Sequence, residues 1–582
     1  MTTIDPVTAE VLRHMLISIP DQIDTNIART AFTPLVYDYK DFAVGLLDAR
    51  GRLIAQGGGG APIFVANALT TAVLDGLAVL GAEGMRPGDI IISNHAKTLG
   101  QHLNNVAMFM PVFHEDTDGV SVLAGFIAVM MHWIDIGGMR PGSASVEARS
   151  IYQEGVQFRA LKICSGGKPV PGVLATIEAN TRFPRALMGD IDAQIGGCLR
   201  GQALLLELIE RYGFDAYLQA LEHLLSCSDA AARSVVRALP DGHWRASSML
   251  DNDGIALDVP LPVNVAVTIA GEHVTIDFTG TAQQVMAPIN SGRDGGAVTA
   301  ARIAYKMLAT PGEPVNEGAF RSLEVIVPDG TIISAVDDAP LGHYSTILPT
   351  VVDTVLKAFT DAAPERIGGG HHGSFSSLTF TGIHPDTGDL FQSLDTGHGG
   401  WGAFSDCDGP GPYKTMVHGD TFGLSIEACE AFYPVRVHAY ELRPDSGGAG
   451  QFRGGDGTRR IVEILAPLEI LVLMERTECP AWGAMDGNDG KPGACYVDRV
   501  DQPRVQLRKG ILGVGPGDRV ELLCGGGGGW GDPNKRDRDR VRKDVREGRV
   551  SAEMAMRVYG WDDTKSHSRD AKVGASRALQ SD

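Results

Sequence analysis

Apolar positions recur along this chain with different periods, and the period predicts the element. In residues 5–30 they return every three or four positions, which predicts a helix; Asp5 can cap it, Pro6 suits its first turn, and Pro20 is expected to kink or interrupt it. "DFAVGLLDARGRLIAQ" predicts a hairpin turning at Asp48–Gly51, and Ala66–Leu80 is apolar at helical spacing. "GDIIISNHA" and "GVSVLAGFIAVMMHWIDIGG" hold unbroken apolar runs bounded by glycine, as strands buried on both faces do. Residues 190–239 turn helical, rich in leucine and alanine, and close at Leu239-Pro-Asp-Gly. Residues 240–340 are strand-rich, with "VNVAVTIAGEHVTIDFTGTA" an evident hairpin pair. "TVLKAFTDAAPERI" is helical, residues 460–524 return to strands, and the last fifty residues are charged and helical with a polar tail.

The pattern predicts an α+β fold: a large interwoven body with mixed sheets, a helical middle and a strand- and glycine-rich C-terminal half. The expected divisions are an N-terminal α/β region at 1–189, a helical segment at 190–239, a strand- and glycine-rich region at 240–530 and a charged helical tail at 531–582.

Charge and composition narrow the function. The net charge of -20, from 51 basic and 71 acidic residues, argues against a nucleic-acid surface. No uncharged apolar run approaches the ~18 residues of a membrane span, and the N-terminus has no export signal. The 8 cysteines form no CxxC pair, so a reducing cytoplasm is expected, with neither a disulfide framework nor a zinc finger. The 73 glycines cluster in runs, Gly525–Gly529 the longest, which read as tight loops or backbone cradles. That run lacks a following Lys-Ser/Thr and is no P-loop. There is no nucleotide-binding G-x-G-x-x-G unit and no G-x-S-x-G elbow.

The candidate chemistry lies at strand ends. "MHWIDIGGMRPGS" places His132 and Asp135 just past an apolar strand. "SNHAKTLGQHLNN" adds Asn94, His95, His102, Asn104 and Asn105, and the first hairpin adds Asp41. Imidazole and carboxylate together suit Zn, Mn or Fe. His371, His372 and His398 are rival candidates in glycine-rich stretches.

These residues sit in segments that carry a likeness. "DPVTAEVLRHML", "KDFAVGLLDARGRLIAQ", "HWIDIGGMRPGS", "NTRFPRALMGDIDAQIGG", "DFTGTAQQVMAPIN", "YELRPDSGGAGQFRGGDGTRR" and "GGGGGWGDPNKRD" follow in order along almost the whole chain. The chain resembles the hydantoinase B / 5-oxoprolinase family, the B-type subunits of ATP-dependent hydantoin and lactam hydrolases, to which subunits of acetone and acetophenone carboxylases are related. The resemblance implies a hydrolase of cyclic amides working with an A-type subunit that binds ATP, and self-association besides. It implies a divalent transition metal held by Asp41, His102, His132 and Asp135, which would also be the catalytic residues. A ketone carboxylase subunit is the alternative it leaves open. Two departures from the family pattern stand out: Ser93-Asn94-His95-Ala96 replaces the usual Asn-Asp-Pro-Tyr, and Asn105 replaces an aspartate. The glycine-rich stretches at 368–372 and 398–401 are expected to line the pocket or a route to the partner.

Overall fold

The computed structural model describes residues 4–116 and 118–561. Its first sheet holds the strands β1 (Phe42–Asp48), β2 (Leu53–Gln56), β3 (Ile90–Ser93), β4 (Asn105–Glu115), β5 (Ser121–His132), β6 (Leu161–Ser165) and β7 (Lys168–Pro169), in the order β2-β1-β5-β4-β3-β6-β7. Every pairing is antiparallel. Such sheets commonly leave one face to water, but here both are covered. Val106, Met108 and Met110 of β4, with Ile127, Val129 and Met131 of β5, pack in one core under the helices Pro6–Thr30 and Pro184–Tyr212. The alternate residues Ala107 and Phe109, with Phe126, Ala128 and Met130, pack in a second core with the helix Ala68–Leu80. Two buried faces account for the unbroken apolar runs.

The helix Pro6–Thr30 begins as expected: the Asp5 carboxylate accepts the Val7 and Thr8 N–H groups at 3.1 Å each. Pro20 does not interrupt it. The helix runs through Pro20, whose ring is buried among Leu16, Ile19, Ile23 and Ile27, so packing on the sheet offsets the missing donor. The stretch Pro62–Leu80 matches a membrane span in length and hydropathy, but 61% of it is buried inside the protein. It is also divided into Pro62–Val65 and Ala68–Leu80.

A second sheet, order β11-β10-β9-β8, is built from β8 (Gly242–Leu250), β9 (Leu261–Ala270), β10 (His273–Asp277) and β11 (Leu323–Ile326). The helices Thr299–Ala309 and Leu348–Thr360 join its core to that of the first sheet.

The C-terminal strands are β12 (Ser377–Ile383), β13 (Leu390–Gln392), β14 (Val435–Leu442), β15 (Thr458–Ile464), β16 (Leu468–Leu473), β17 (Ala494–Asp498), β18 (Val505–Gln506), β19 (Lys509–Val514) and β20 (Arg519–Leu523). They form two sheets, β13-β12-β16-β19 and β14-β15-β20-β17-β18, which share a core of residues such as Phe380, Ile470, Val462 and Val520.

The glycine runs pack against one another in the interior rather than forming surface turns. Gly448 donates to Gly527 O, Gly527 to Gly455 O, Gly528 to Gly370 O and Ala403 to Gly528 O, all at 2.8–3.0 Å. A side chain has no room there: a Cβ on Gly527 would stand 1.9 Å from Trp401 O. The run Gly525–Gly529 is therefore no anion cradle, since the N–H groups of Gly526 to Gly529 already donate to protein carbonyls. Of the charged C-terminal segment, the helices Arg538–Arg546 and Ala552–Tyr559 fall among the described residues, and the polar tail lies outside them.

Candidate active site

Strand ends of the first sheet meet at one place. Asp41 immediately precedes β1, and its carbonyl accepts the His132 N–H at 3.1 Å, continuing the Phe42–Met131 pair. His132 closes β5 and lies opposite Asn105, which opens β4. His102 is in the turn feeding β4, where its carbonyl accepts the Asn105 N–H at 3.2 Å. The ladder thus sets a carboxylate, two imidazoles and a carboxamide at one edge.

All four line a cavity of about 130 Å³. An apolar cavity of about 150 Å³ is enough to take up benzene, so this one has room for a single ring. It lies between the first sheet, the 342–346 turn and the β12–β13 hairpin.

Both ring nitrogens of His102 face oxygen acceptors, Nδ1 the Gly342 carbonyl at 3.2 Å and Nε2 the Oδ1 of the Asn105 carboxamide at 2.8 Å, so the single N–H of the neutral ring can serve only one of them. That carboxamide also donates to Tyr344 Oη at 2.8 Å and to Gln101 Oε1 at 3.0 Å. The His102 and His132 rings meet edge to face at 4.7 Å, and His132 Nδ1 is 3.8 Å from Asp41 Oδ2. The Asp41 carboxylate receives no hydrogen bond among the described residues. Burial lifts Asp41 to about 7 against the opposing Lys414 charge. Burial lowers His102 to about 4, and burial with the neighbouring His102 holds His132 well below its ordinary value. Both imidazoles are therefore neutral near pH 7 and carry lone pairs.

Among the described residues, no group of three His, Cys, Asp or Glu side chains is closed enough, as placed, to hold a metal ion. The donor types of Asp41, His102 and His132 nonetheless fit one. Two ligands of a tetrahedral zinc stand ~3.4 Å apart, and the Asp41–His132 separation of 3.8 Å is only a few tenths wider.

Asp135, expected as a fourth ligand, does not join them. It is fully buried and turned to Arg182, accepting from its backbone N–H at 2.7 Å and its Nη1 at 2.9 Å. β5 ends at His132, so the three-residue spacing carries Asp135 into the following loop and out of the cavity. The reading of Asp135 as a ligand or catalytic residue is corrected to a structural role.

The other sequence candidates hold the fold or lie elsewhere. Asn94 donates to Leu103 O and Val156 O at 2.8 and 3.0 Å and accepts from Phe158 N. His95 bonds Thr98 Oγ1 at 2.9 Å. Asn104 lines the cavity and braces the loop by donating to Trp133 O and Gly142 O. His371 lies against Trp401, its ring centre 4.4 Å away, and His398 Nδ1 bonds Tyr440 Oη at 2.6 Å. Neither these two, nor His372, nor the glycines beside them line the cavity; they belong to the glycine-packed interior.

Sequence reasoning passed over His343, Tyr344, His418 and Tyr39, which do line it. His343 Nε2 is buried without a partner, and burial lowers its pKa to about 3. For His343 and Tyr344 the one signal was the pairing of imidazole and phenol after a glycine in "LGHYS".

The family model for hydantoinase B/oxoprolinase matches residues 5–533, and the chain belongs to that family. It is 30% identical to the caprolactamase subunit beta of Pseudomonas jessenii over 96% of each chain. It is 27% identical to 5-oxoprolinase 1 of Arabidopsis thaliana, covering 90% of this chain and 42% of that longer one. The crystal structure of the ATP-dependent caprolactamase from Pseudomonas jessenii superposes with a TM-score of 0.88 at 28% identity, covering 97% of this chain and 98% of that one. Nucleotide-free acetone carboxylase shares the fold, with a TM-score of 0.87 at 18% identity over 99% of this chain and 84% of that one.

Proposed function

We propose that this chain is the B-type subunit of an ATP-dependent hydrolase that opens cyclic amides, working in the cytoplasm with an ATP-binding A-type subunit. The observation that carries the reading is the convergence of Asp41, His102 and His132 on a cavity of single-ring size. Relatives named for caprolactam and oxoproline support the ring-amide substrate, and the name of the Pseudomonas jessenii chain as a subunit supports the partner.

Asp41, His102 and His132 would hold one divalent ion of the Zn, Mn or Fe kind. When bound there, the ion would supply Lewis acidity toward a carbonyl-derived oxygen and favour deprotonation of water near neutral pH. The chain's own residues set the stage for it. Gly342 O and Asn105 Oδ1 hold the His102 ring at its two nitrogens, and Tyr344 braces Asn105 behind it. The apolar walls restrict water, which strengthens every charge interaction inside. ATP binding falls to the partner, because this chain has no P-loop and the N–H groups of Gly526 to Gly529 are already engaged.

The test is co-expression with the A-type subunit encoded alongside it, followed by assays of ATP-dependent ring opening with and without bicarbonate. Ring opening without bicarbonate is expected. Product formed only with bicarbonate would move the chain to the carboxylases. A chain free of divalent metal, with activity unaffected by His132→Ala, would remove the metal reading. ATP hydrolysis by the isolated chain would remove the division of labour. Sizing of the complex tests self-association.

A further inference from the structure

We infer that Tyr39 donates a hydrogen bond to the oxygen on the amide carbon as the ring opens, and that Lys414, acting through Thr396, sets that bond; this rests on the cyclic-amide reading above. Two observations carry it: a buried cation with no carboxylate of its own, and the hydroxyls that lead from it to the cavity.

Lys414, Thr396 and Tyr39 are 4%, 4% and 3% exposed. Lys414 pairs with no carboxylate among the described residues, because the neighbouring Asp395 is taken by the Arg460 guanidinium and the Thr396 N–H. Burial lowers the Lys414 pKa to about 8, so its ammonium is charged at neutral pH. A buried charge without an opposite partner is costly, and an apolar side chain in its place would suit the fold better. The ammonium donates instead to Thr396 O and Thr396 Oγ1, both at 2.6 Å, and stands 4.8 Å from the centre of the Tyr39 ring.

Tyr39 Oη lies 2.7 Å from the same Thr396 Oγ1. That oxygen already accepts a proton from the ammonium, which makes it a poorer acceptor and its own O–H a stronger donor. The Thr396 proton therefore bridges to Tyr39 Oη and leaves the Tyr39 O–H free. Thr421 Oγ1, the other hydroxyl beside Tyr39, is buried without a hydrogen bond and does not hold that proton. Tyr39 and Thr396 both line the cavity, and Lys414 stands behind them. Donors thus run from Lys414 to Thr396 to Tyr39 and end at the cavity wall.

Attack on a ring amide turns its carbonyl carbon tetrahedral and builds negative charge on the attached oxygen. A donor fixed in advance is worth most against such growing charge. The divalent ion assigned to Asp41, His102 and His132 acts in the same sense, so ion and hydroxyl reinforce each other. Tyr39 keeps its proton throughout. It is a catalytic residue, and Thr396 and Lys414 are positioning residues.

The test measures kcat and KM for a lactam in the co-expressed complex, with metal content and melting point read on every variant. Tyr39→Phe should lower kcat by ~100-fold with KM little changed, as loss of one such donor does. Thr396→Val, which keeps the shape and removes the hydroxyl, and Lys414→Met should each lower kcat by ~10-fold, and Thr396→Ser should recover most of that loss. Because the groups act in series, Tyr39→Phe combined with Thr396→Val should lose no more than Tyr39→Phe alone. All should keep their divalent metal. An unchanged kcat in Tyr39→Phe, a double variant whose loss is the product of the two singles, or metal lost along with the rate would overturn the inference while leaving the cyclic-amide function in place. Should Tyr39→Phe not fold, the position 396 pair decides: Thr396→Ser as impaired as Thr396→Val refutes the hydroxyl's role. No ring opened by the unaltered complex would sink the cyclic-amide reading, and this inference with it.

Discussion

Asp135 follows His132 by three residues, yet the two side chains belong to different structures: His132 faces the cavity, and Asp135 is locked to Arg182 through both its backbone N–H and its guanidinium. Ser143 Oγ also reaches the Asp135 carboxylate at 3.4 Å while accepting the Ile136 and Gly138 N–H groups at 3.0 Å. Asp135 thereby organises the loop that follows β5. Removing one member of a buried ion pair is costly, and because Arg182 is partly exposed the lower end of the usual range applies. Asp135→Ala should lose about 3 kcal/mol in urea denaturation and, where folded, keep its divalent metal. His132→Ala should do the reverse, losing metal at little cost in stability. Equal metal loss from the two folded variants would return Asp135 to the ligand set.

Glu154 gives the site a pH-dependent support. Its carboxyl accepts the Gly342 N–H at 2.8 Å and the Leu341 N–H at 3.1 Å, holding the turn whose Gly342 carbonyl binds His102. Burial lifts its pKa from 4.5 to about 8, against those two hydrogen bonds. The folded protein therefore keeps this proton where the unfolded chain has lost it. The resulting stability is fully present below about pH 4.5 and is lost as pH rises toward about 8. Asp24 and Asp41, both raised to about 7, act in the same direction, so the difference between unaltered protein and Glu154→Gln isolates this group. That difference should change by up to ~1.4 kcal/mol per pH unit between pH 5 and 8, in denaturation midpoints taken across the range. A difference independent of pH would remove the claim.

The glycine interior gives a contrast between positions of the same residue type. A Cβ on Gly400 would stand 1.9 Å from Gly455 O, a backbone atom that cannot move alone. Gly400→Ala should cost at least ~1–3 kcal/mol and can prevent folding. Gly172, in the helix Pro171–Ala179, has nothing within 4 Å of its would-be Cβ. Gly172→Ala should stabilise by about 0.4–1 kcal/mol, because it restricts the unfolded chain at a helical position. Thermal melts of the two variants check both signs.

His132 and Asp41 were legible because an apolar run that stops at a polar residue marks a strand end, and strand ends place side chains rigidly. His102 was legible through the resemblance as well as its position before β4. The direction of Asp135 was not, since spacing fixes separation along the chain but not which way a loop turns. Nor could spacing show that Gly342–Tyr344, some 240 residues beyond His102, would close over it; the His102–Gly342 and Asn105–Tyr344 contacts exist only after the second sheet and its helices have docked. The glycine runs misled for a related reason. Their composition permits loops, but their backbones satisfy each other's hydrogen bonds, which makes a buried interior possible.

Asn105 replaces the aspartate the family pattern carries, and its contacts give the exchange a definite sign. Its Nδ2 donates to both Gln101 Oε1 and Tyr344 Oη. A carboxylate could still accept from the Tyr344 hydroxyl, but it would oppose Gln101 Oε1 with a second acceptor. Gln101 is not free to turn, because its Nε2 donates to Ile63 O at 3.2 Å. Asn105→Asp should therefore lower the stability of the metal-free protein by about 1–2 kcal/mol. The same change sets a negative charge beside His102, which favours a cation held by that imidazole. Divalent-ion affinity should rise by at least ~10-fold, the scale on which groups behind a ligand act. Melting curves with and without added zinc or manganese read both effects at once: a lower metal-free midpoint and a larger upward shift on adding metal. A variant that melts lower and gains nothing from metal would show that the ion, if any, is not held at His102.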